Sequence, residues 1–386
     1  MSFAYVLRPH EMEWFRRCRR AWDLGSRIRQ DYVPIAPAHT FNFDKAIHEA
    51  LAVYYFPAMD DWDRAIVRPL AVRGFHRAML ADRKLYEETS VLTPEQEQEW
   101  REYSQLGETI LNNYFQWAAQ VDEFDSIFAD QDLWSGIPDP RGHDQDLATA
   151  DGRPVRYFAR FDQLISDAED EFWVVDHRLT TNGWAEEEDF LLDAQTLSYV
   201  WALERSYLQL KVAGTVYNEL RVDVPGGSHV RSTVVDERDK RDMRGVRRVN
   251  LRRSPSSLEA ASTEGRSEIV HQESNGLFRR TYVRRSRVSI ENAGLHVAMQ
   301  AVDMIAPDIA AYPNPTHKNC SSCAYREPCV AMSAGADARP ILAAGYRKRN
   351  EEEFEEERLR WSSTRRRTRA AYGGTVARSK ERDSRC

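Results

Sequence analysis

The sequence predicts an α/β fold, a mixed sheet flanked by helices. Three observations carry it. Residues 154–220 read as strand, strand, helix, strand; the stretch from Met12 to Phe128 is dominated by helical periodicity; and a C-x2-C-x5-C loop near the end of the chain offers a metal-held closure.

The first pair of strands is the most informative. Val155–Ile165 alternates and is rich in β-formers, Glu171–Val175 is a short apolar run, and Asp167–Asp170 between them is turn material, which together make a β-hairpin. Each strand carries an acid where a buried strand does not tolerate one without a purpose: Asp162 in the first and Asp176 at the end of the second. Arg178 is two residues beyond Asp176 and shares its face. Asp162 joins them if the strands pair in the even register, with Asp162 opposite Asp176 or a neighbour two away. A turn of three or five residues centred on Glu169 produces that register. Two carboxylates and a cation on one face suit a hard divalent metal at a phosphodiester. On these residues alone, a solvated acid at each strand end is the plainer alternative.

Composition sets few limits. The 386 residues carry a net charge of −7, so there is no global basic signature for nucleic acid. The acids cluster at Tyr86–Glu102, Glu186–Asp189 and Glu351–Glu357, whereas Arg238–Arg253 is dense in arginine. With neither a secretory pattern nor a long apolar run, a cytoplasmic protein without a membrane segment is expected. Five cysteines in such a chain are not a disulfide framework.

Taken in order, Met12–Ile28 reads as an amphipathic helix with Trp14, Phe15, Cys18 and Trp22 at helical spacing among arginines. Cys18 there is a small core residue or a ligand. Phe43–Phe56 is a second helix. His48 on it is either a satisfied boundary histidine or, over the hairpin's acids, a neutral-imidazole metal ligand. Asp60–Phe128 is largely helical, with Pro94 at a first helical position, and Asp130–Gly152 is a connection. Phe190–Tyr207 is a strong helix that puts Gln195 and Tyr199 on one face, as a polar stripe or as groups that orient a nucleic-acid strand. Leu208–Leu220, carrying Lys211, is a third strand.

Arg221–Ser289 reads as a protruding, arginine-rich insertion with strands at Val230–Val235 and Phe278–Val283. Arg247, Arg248, Arg252 and Arg253 in it track phosphates or form a solvated loop. Val288–Ile309 is another helix. In the loop Tyr312–Met332, Cys320, Cys323 and Cys329 can converge on zinc or an iron–sulfur cluster, with Cys18 the other internal cysteine. Residues 346–386 read as a short helix and a charged, disordered tail that includes Cys386.

The order of these parts resembles the iron–sulfur RecB-like exonucleases of the PD-(D/E)XK superfamily, among them CRISPR adaptation nucleases and AddB-type nuclease domains. The resemblance spans Met12–Met332. It implies one nuclease domain over residues 1–345: a restriction-endonuclease-like core at 154–220, a helical N-terminal elaboration and a C-terminal Fe–S cap. It further implies Mg²⁺ or Mn²⁺ held by His48, Asp162 and Asp176, and catalysis by Asp162, Asp176, Arg178, Gln195 and Tyr199. A structural 4Fe–4S cluster would sit on Cys18, Cys320, Cys323 and Cys329. Single-stranded DNA ends are the implied substrate, DNA repair the setting, and a helicase or adaptation-complex protein the implied partner. Two departures stand out: Phe43-Asp44-Lys45 where a glycine is usual before the histidine, and Arg178 where the family has lysine. Lys45 or Lys211 could supply a migrated ammonium, or the fold could be a DNA-binding subunit without activity.

Overall fold

The single helix expected over Met12–Ile28 is broken in two. The computed structural model describes residues 4–37, 39–181, 183–222 and 266–350. In it a short strand β1 (Tyr5–Leu7) leads to α1 (Pro9–Arg17) and α2 (Arg19–Gly25). Cys18 between the two helices is extended, at φ −161° and ψ 106°. Strand β2 (Tyr32–Pro34) follows and pairs antiparallel with Tyr346–Lys348. Residues 5–35 and 308–350 make one compact unit. Its small core is Ala21, Leu24, Tyr325, Ala338 and Leu342, with Cys18 and Cys323 packed against it.

The larger unit covers residues 36–307. It opens with three helices: α3 (Phe43–Tyr54), α4 (Arg64–Glu87) and α5 (Pro94–Val121). Each start is dictated locally. Asn42 accepts from the Lys45 N–H, Asp63 from that of Ala65, and Thr93 forms a capping box with Gln96 ahead of Pro94. Their apolar stripes meet through Ile47, Leu51, Phe75, Leu111 and Phe115, all fully buried. Burying each such side chain contributes about 1.5–3 kcal/mol.

A strand that sequence reading missed comes next. β3 (Phe124–Gly136) occupies what reads as a helix end and a connection. It is rich in aspartate and carries Asp130 at φ +47°, so its own residues argue for a turn. Its partner supplies the order: β3 pairs antiparallel along nearly all of β6 (Val155–Asp167). Between them lie the short strands β4 (Pro138–Asp139) and β5 (His143–Asp146). The expected hairpin forms as β6 and β7 (Phe172–Thr180), and Gln163 faces Val175. This is the even register, and Asp167 N–H bonding Glu171 O closes a three-residue turn centred on Glu169. Asp170 takes φ +59° in that turn, as such loops require at their last residue.

After α6 (Glu187–Leu191) and α7 (Ala194–Ser206), β8 (Val212–Arg221) runs parallel to β7. Strands β9 (Glu268–Ser274) and β10 (Phe278–Arg284) then pair antiparallel in the order β8-β10-β9. The larger unit is therefore the expected mixed sheet flanked by helices. One correction concerns Phe278–Val283: this strand lies within the principal sheet, beside β8, not in an excursion from it. The other elements expected for the arginine-rich insertion, Val230–Val235 and Arg247, Arg248, Arg252 and Arg253, lie outside the described residues, as does the tail with Cys386. The helix Arg287–Ile305 packs on α7, where a Cβ at Gly294 would come within 2.1 Å of Trp201 Nε1. Among the described residues no helix is long and apolar enough to cross a membrane.

A buried polar network ties the helices to the sheet. Arg280 on β10 is 2 % exposed and pairs with Asp122 at 2.7 Å while donating to the Tyr114 hydroxyl. Tyr114 also accepts from Asn218 on β8, and the Asn218 amide lies 2.9 Å from His177 Nδ1 on β7. These bonds lie in a low-dielectric interior, which makes them costly to disturb.

Candidate active site

β6 and β7 part at the two acids. Backbone pairing stops at Gln163 and Val175, and at the next position the Asp162 carboxylate takes over, accepting the His177 N–H at 2.7 Å. On the other flank of β6, the positive φ of Asp130 interrupts β3 opposite Asp162. The splay opens the sheet at Asp162. Helix α3 fills one side of the opening with His48, whose Nε2 lies 3.4 Å from Asp162 Oδ2 and 3.0 Å from the His177 carbonyl.

Both ring nitrogens of His48 face carbonyl oxygens, Nδ1 being 2.8 Å from Asp44 O. Carbonyls only accept, so the two contacts suit a ring that donates from both nitrogens. Electrostatics agree. Burial works against the charge, but the Asp162 carboxylate, with Asp44 behind it, pushes His48 up to about 10. As arranged, His48 is not the neutral imidazole a metal takes; its Nε2 must first give up a proton. Burial would raise Asp162, yet His48 and the His177 N–H hold it below the usual carboxylate range. Burial pushes Asp176 up to about 7; Arg178 pulls against it and Asp162 adds to it. Two carboxylates that oppose each other's ionisation in a poorly hydrated site are a setting for a cation.

Arg178 is not free to roam. Its Nε donates to Asp176 Oδ2 at 2.6 Å, its Nη2 bonds Asp193 Oδ2, and its Cζ lies 4.5 Å above the Tyr217 ring. Neither proposed substitute reaches this point. Lys45 is half exposed and paired with Asp82 at 2.7 Å. Lys211 precedes β8, whose first residue, Val212, faces Phe172, four residues short of Asp176. Gln195 and Tyr199 do share a face, for Gln195 Nε2 donates to the Tyr199 hydroxyl at 2.7 Å. Burial raises the Tyr199 hydroxyl well above its ordinary pKa, and the charges of Asp176 and Asp162 add to the shift.

Sequence reading passed over Asp193, Asn218 and His177. Asp193 alone left a signal: an aspartate directly before an apolar helical run is an N-cap, and its Oδ1 accepts from the N–H groups of Gln195 and Thr196.

Cys18, Cys320, Cys323 and Cys329 all belong to the smaller unit. They are unpaired thiols. Burial raises Cys323, and the charges of Cys18 and Cys320 are close enough to add to the shift. Arg20 Nη1 is 3.7 Å from Cys329 Sγ and bonds Ser333 at 2.8 Å. The donor types of both sites suit metals: oxygen and imidazole for a hard divalent ion, thiolate for a soft centre. Among the described residues, however, no three His, Cys, Asp or Glu side chains are gathered closely enough to hold a metal ion as they stand. At the hairpin, Asp176 is turned to Arg178.

A family description, the PD-(D/E)XK nuclease superfamily, matches residues 8–330. No curated protein matches the chain.

Proposed function

The chain belongs to the PD-(D/E)XK nuclease superfamily, and on that footing we propose that it is a Mg²⁺- or Mn²⁺-dependent deoxyribonuclease, an exonuclease acting on single-stranded DNA ends. The observation that carries this is the convergence at the strand splay. His48 Nε2 lies 3.4 Å from Asp162 Oδ2 and 3.0 Å from the His177 carbonyl, and Asp162 and Asp176 each lie one residue beyond the last β6–β7 pair, Gln163 with Val175. His48, Asp162, Asp176 and the His177 carbonyl would hold the metal. A metal held there would polarise the phosphate and make water a better nucleophile. Arg178 stabilises charge on the phosphate and, never giving up its proton, activates no water. Gln195 and Tyr199 orient the strand.

Cys18, Cys320, Cys323 and Cys329 would carry a structural 4Fe–4S cluster, with zinc as the alternative that absorbance of anaerobically purified protein separates. A helicase or an adaptation complex is the partner class, DNA repair the setting and the cytoplasm the location in this reading.

The deciding experiment is Mn²⁺-dependent cleavage of end-labelled single-stranded DNA by the parent, Asp176→Ala and Arg178→Lys. Loss in the first variant and retention in the second supports a working nuclease. A second reading, a DNA-binding subunit without catalysis, is favoured by the hold of Asp176 and Asp193 on Arg178. It predicts a silent parent and gain of cleavage in Arg178→Lys. Silence from all three defeats the nuclease reading for the isolated chain.

A further inference from the structure

Arg178 lies between two carboxylates, only one of which, Asp176, is a proposed metal ligand. Nε is bonded to Asp176 and Nη2 to Asp193, while the guanidinium is stacked on Tyr217. Asp193 is itself fixed twice over. Its Oδ1 caps α7 through the N–H groups of Gln195 and Thr196, leaving Oδ2 for the arginine. The turn before it is anchored by the buried Arg285, which donates to Phe190 O at 2.7 Å and to the Tyr217 hydroxyl at 2.6 Å. The cap fixes the carboxylate, and the carboxylate fixes the guanidinium.

This matters because an arginine beside a metal site has a cost that a lysine can shed. A lysine can lose its proton or swing away on a flexible stem; a guanidinium stays charged and keeps its fork on a carboxylate. Left with Asp176 alone, Arg178 would occupy the oxygen a metal needs and repel the metal as well. With Asp193 present, two carboxylates hold the guanidinium; without it, Asp176 alone does.

We propose that Asp193 is a positioning residue that supplies the counter-charge for Arg178, so that Asp162 and Asp176 can take a divalent cation beside an arginine. The proposal rests on the metal-dependent reading above. It makes Arg178 and Asp193 one functional unit, through which this chain accommodates an arginine next to its acids.

The test is a Mn²⁺ titration of the full chain by calorimetry, comparing the parent with Asp193→Asn, Arg178→Gln and the double variant. Asparagine caps a helix about as well as aspartate, so Asp193→Asn removes the charge and keeps α7. Its far-UV circular dichroism and melting temperature should match the parent. The expected result is Mn²⁺ affinity weakened about 10- to 100-fold in Asp193→Asn, the scale of losing an outer partner of a metal ligand. Arg178→Gln should bind more tightly than the parent, and in its background Asp193→Asn should cost much less, because no guanidinium remains to be neutralised.

An Asp193→Asn protein that binds Mn²⁺ like the parent overturns the proposal alone. So does an equal loss with and without Arg178. A parent and an Arg178→Gln variant that both fail to bind Mn²⁺ overturn the metal-dependent reading and this proposal with it. Should Asp193→Asn not fold, Asp193→Ser keeps a capping oxygen without the charge. If that too fails, Mn²⁺ affinity unchanged by Arg178→Gln overturns the proposal.

Discussion

The His177 N–H donates to Asp162 Oδ2 across 2.7 Å, replacing by a side chain the backbone bond that β6 no longer offers β7. The same residue's carbonyl lies 3.0 Å from His48 Nε2. One peptide stretch thus fixes an acid through its N–H and meets an imidazole through its C=O. Its side chain is seated by Asn218 and by the Tyr55 ring, stacked at 6.0 Å. Burial pushes His177 down to about 3, so it stays a neutral strut.

Asp162→Ala should therefore remove more than a ligand. It frees the His177 N–H as well as a carboxylate, and Mn²⁺-dependent cleavage should fall by on the order of 100-fold or more. Steady-state cleavage of labelled DNA checks this, and activity that survives Asp162→Ala belongs to a contaminant.

The buried ion pair of Arg280 and Asp122 gives a stability prediction. Arg280→Met leaves Asp122 with the Tyr55 hydroxyl but without its paired cation and should destabilise the larger unit by about 3–5 kcal/mol. Arg280→Met with Asp122→Asn should recover part of that loss. Urea unfolding followed by tryptophan fluorescence measures both; a loss below about 1 kcal/mol would rule out the tie between helices and sheet.

Asp60, just beyond α3, gives a pH dependence. Burial pushes its carboxyl up to about 6; Arg64 opposes this and Asp125 and Asp61 add to it. The folded state then holds a proton that the unfolded state releases at the ordinary value of 3.8. Stability is unaffected below that value, falls as pH rises from 3.8 toward 6, and levels off above. Because Asp60 is about a third exposed, the effect is modest. Asp60→Asn should flatten the melting temperature between pH 4 and 6, and an unchanged profile would contradict the assignment.

For the cysteines, Cys18→Ser should lose bound metal as fully as Cys320→Ser, measured by iron and zinc content after anaerobic purification. Full metal content in Cys18→Ser means the fourth ligand is another residue.

Much of the hairpin could be read in advance because its information is local. Period two, two acids and a polar turn at Glu169 fix the register without reference to the rest of the chain. Gln195 and Tyr199 meet because four residues on a helix must. β3 could not be read, since Asp125, Asp130 and Asp132 suit a turn and only β6 makes them a strand. The break at Cys18 has no proline or glycine to announce it. The capping role of Asp193 was open to inspection, but its second oxygen answers to Arg178, 15 residues earlier in another element.

The smaller unit is closed by residues from opposite ends of the described chain. β2 pairs with Tyr346–Lys348, Arg20 N–H bonds Tyr312 O, and Asn314 Nδ2 donates to Arg17 O at 2.9 Å. On a ribosome, α1 and α2 emerge roughly 300 residues before their partners, which at about 5–20 residues per second is a wait of some 15–60 seconds. Through that interval Cys18 waits without Cys320, Cys323 and Cys329. The order of synthesis thus follows the connectivity: β3 to β10 come first, and Cys320, Cys323 and Cys329 come last.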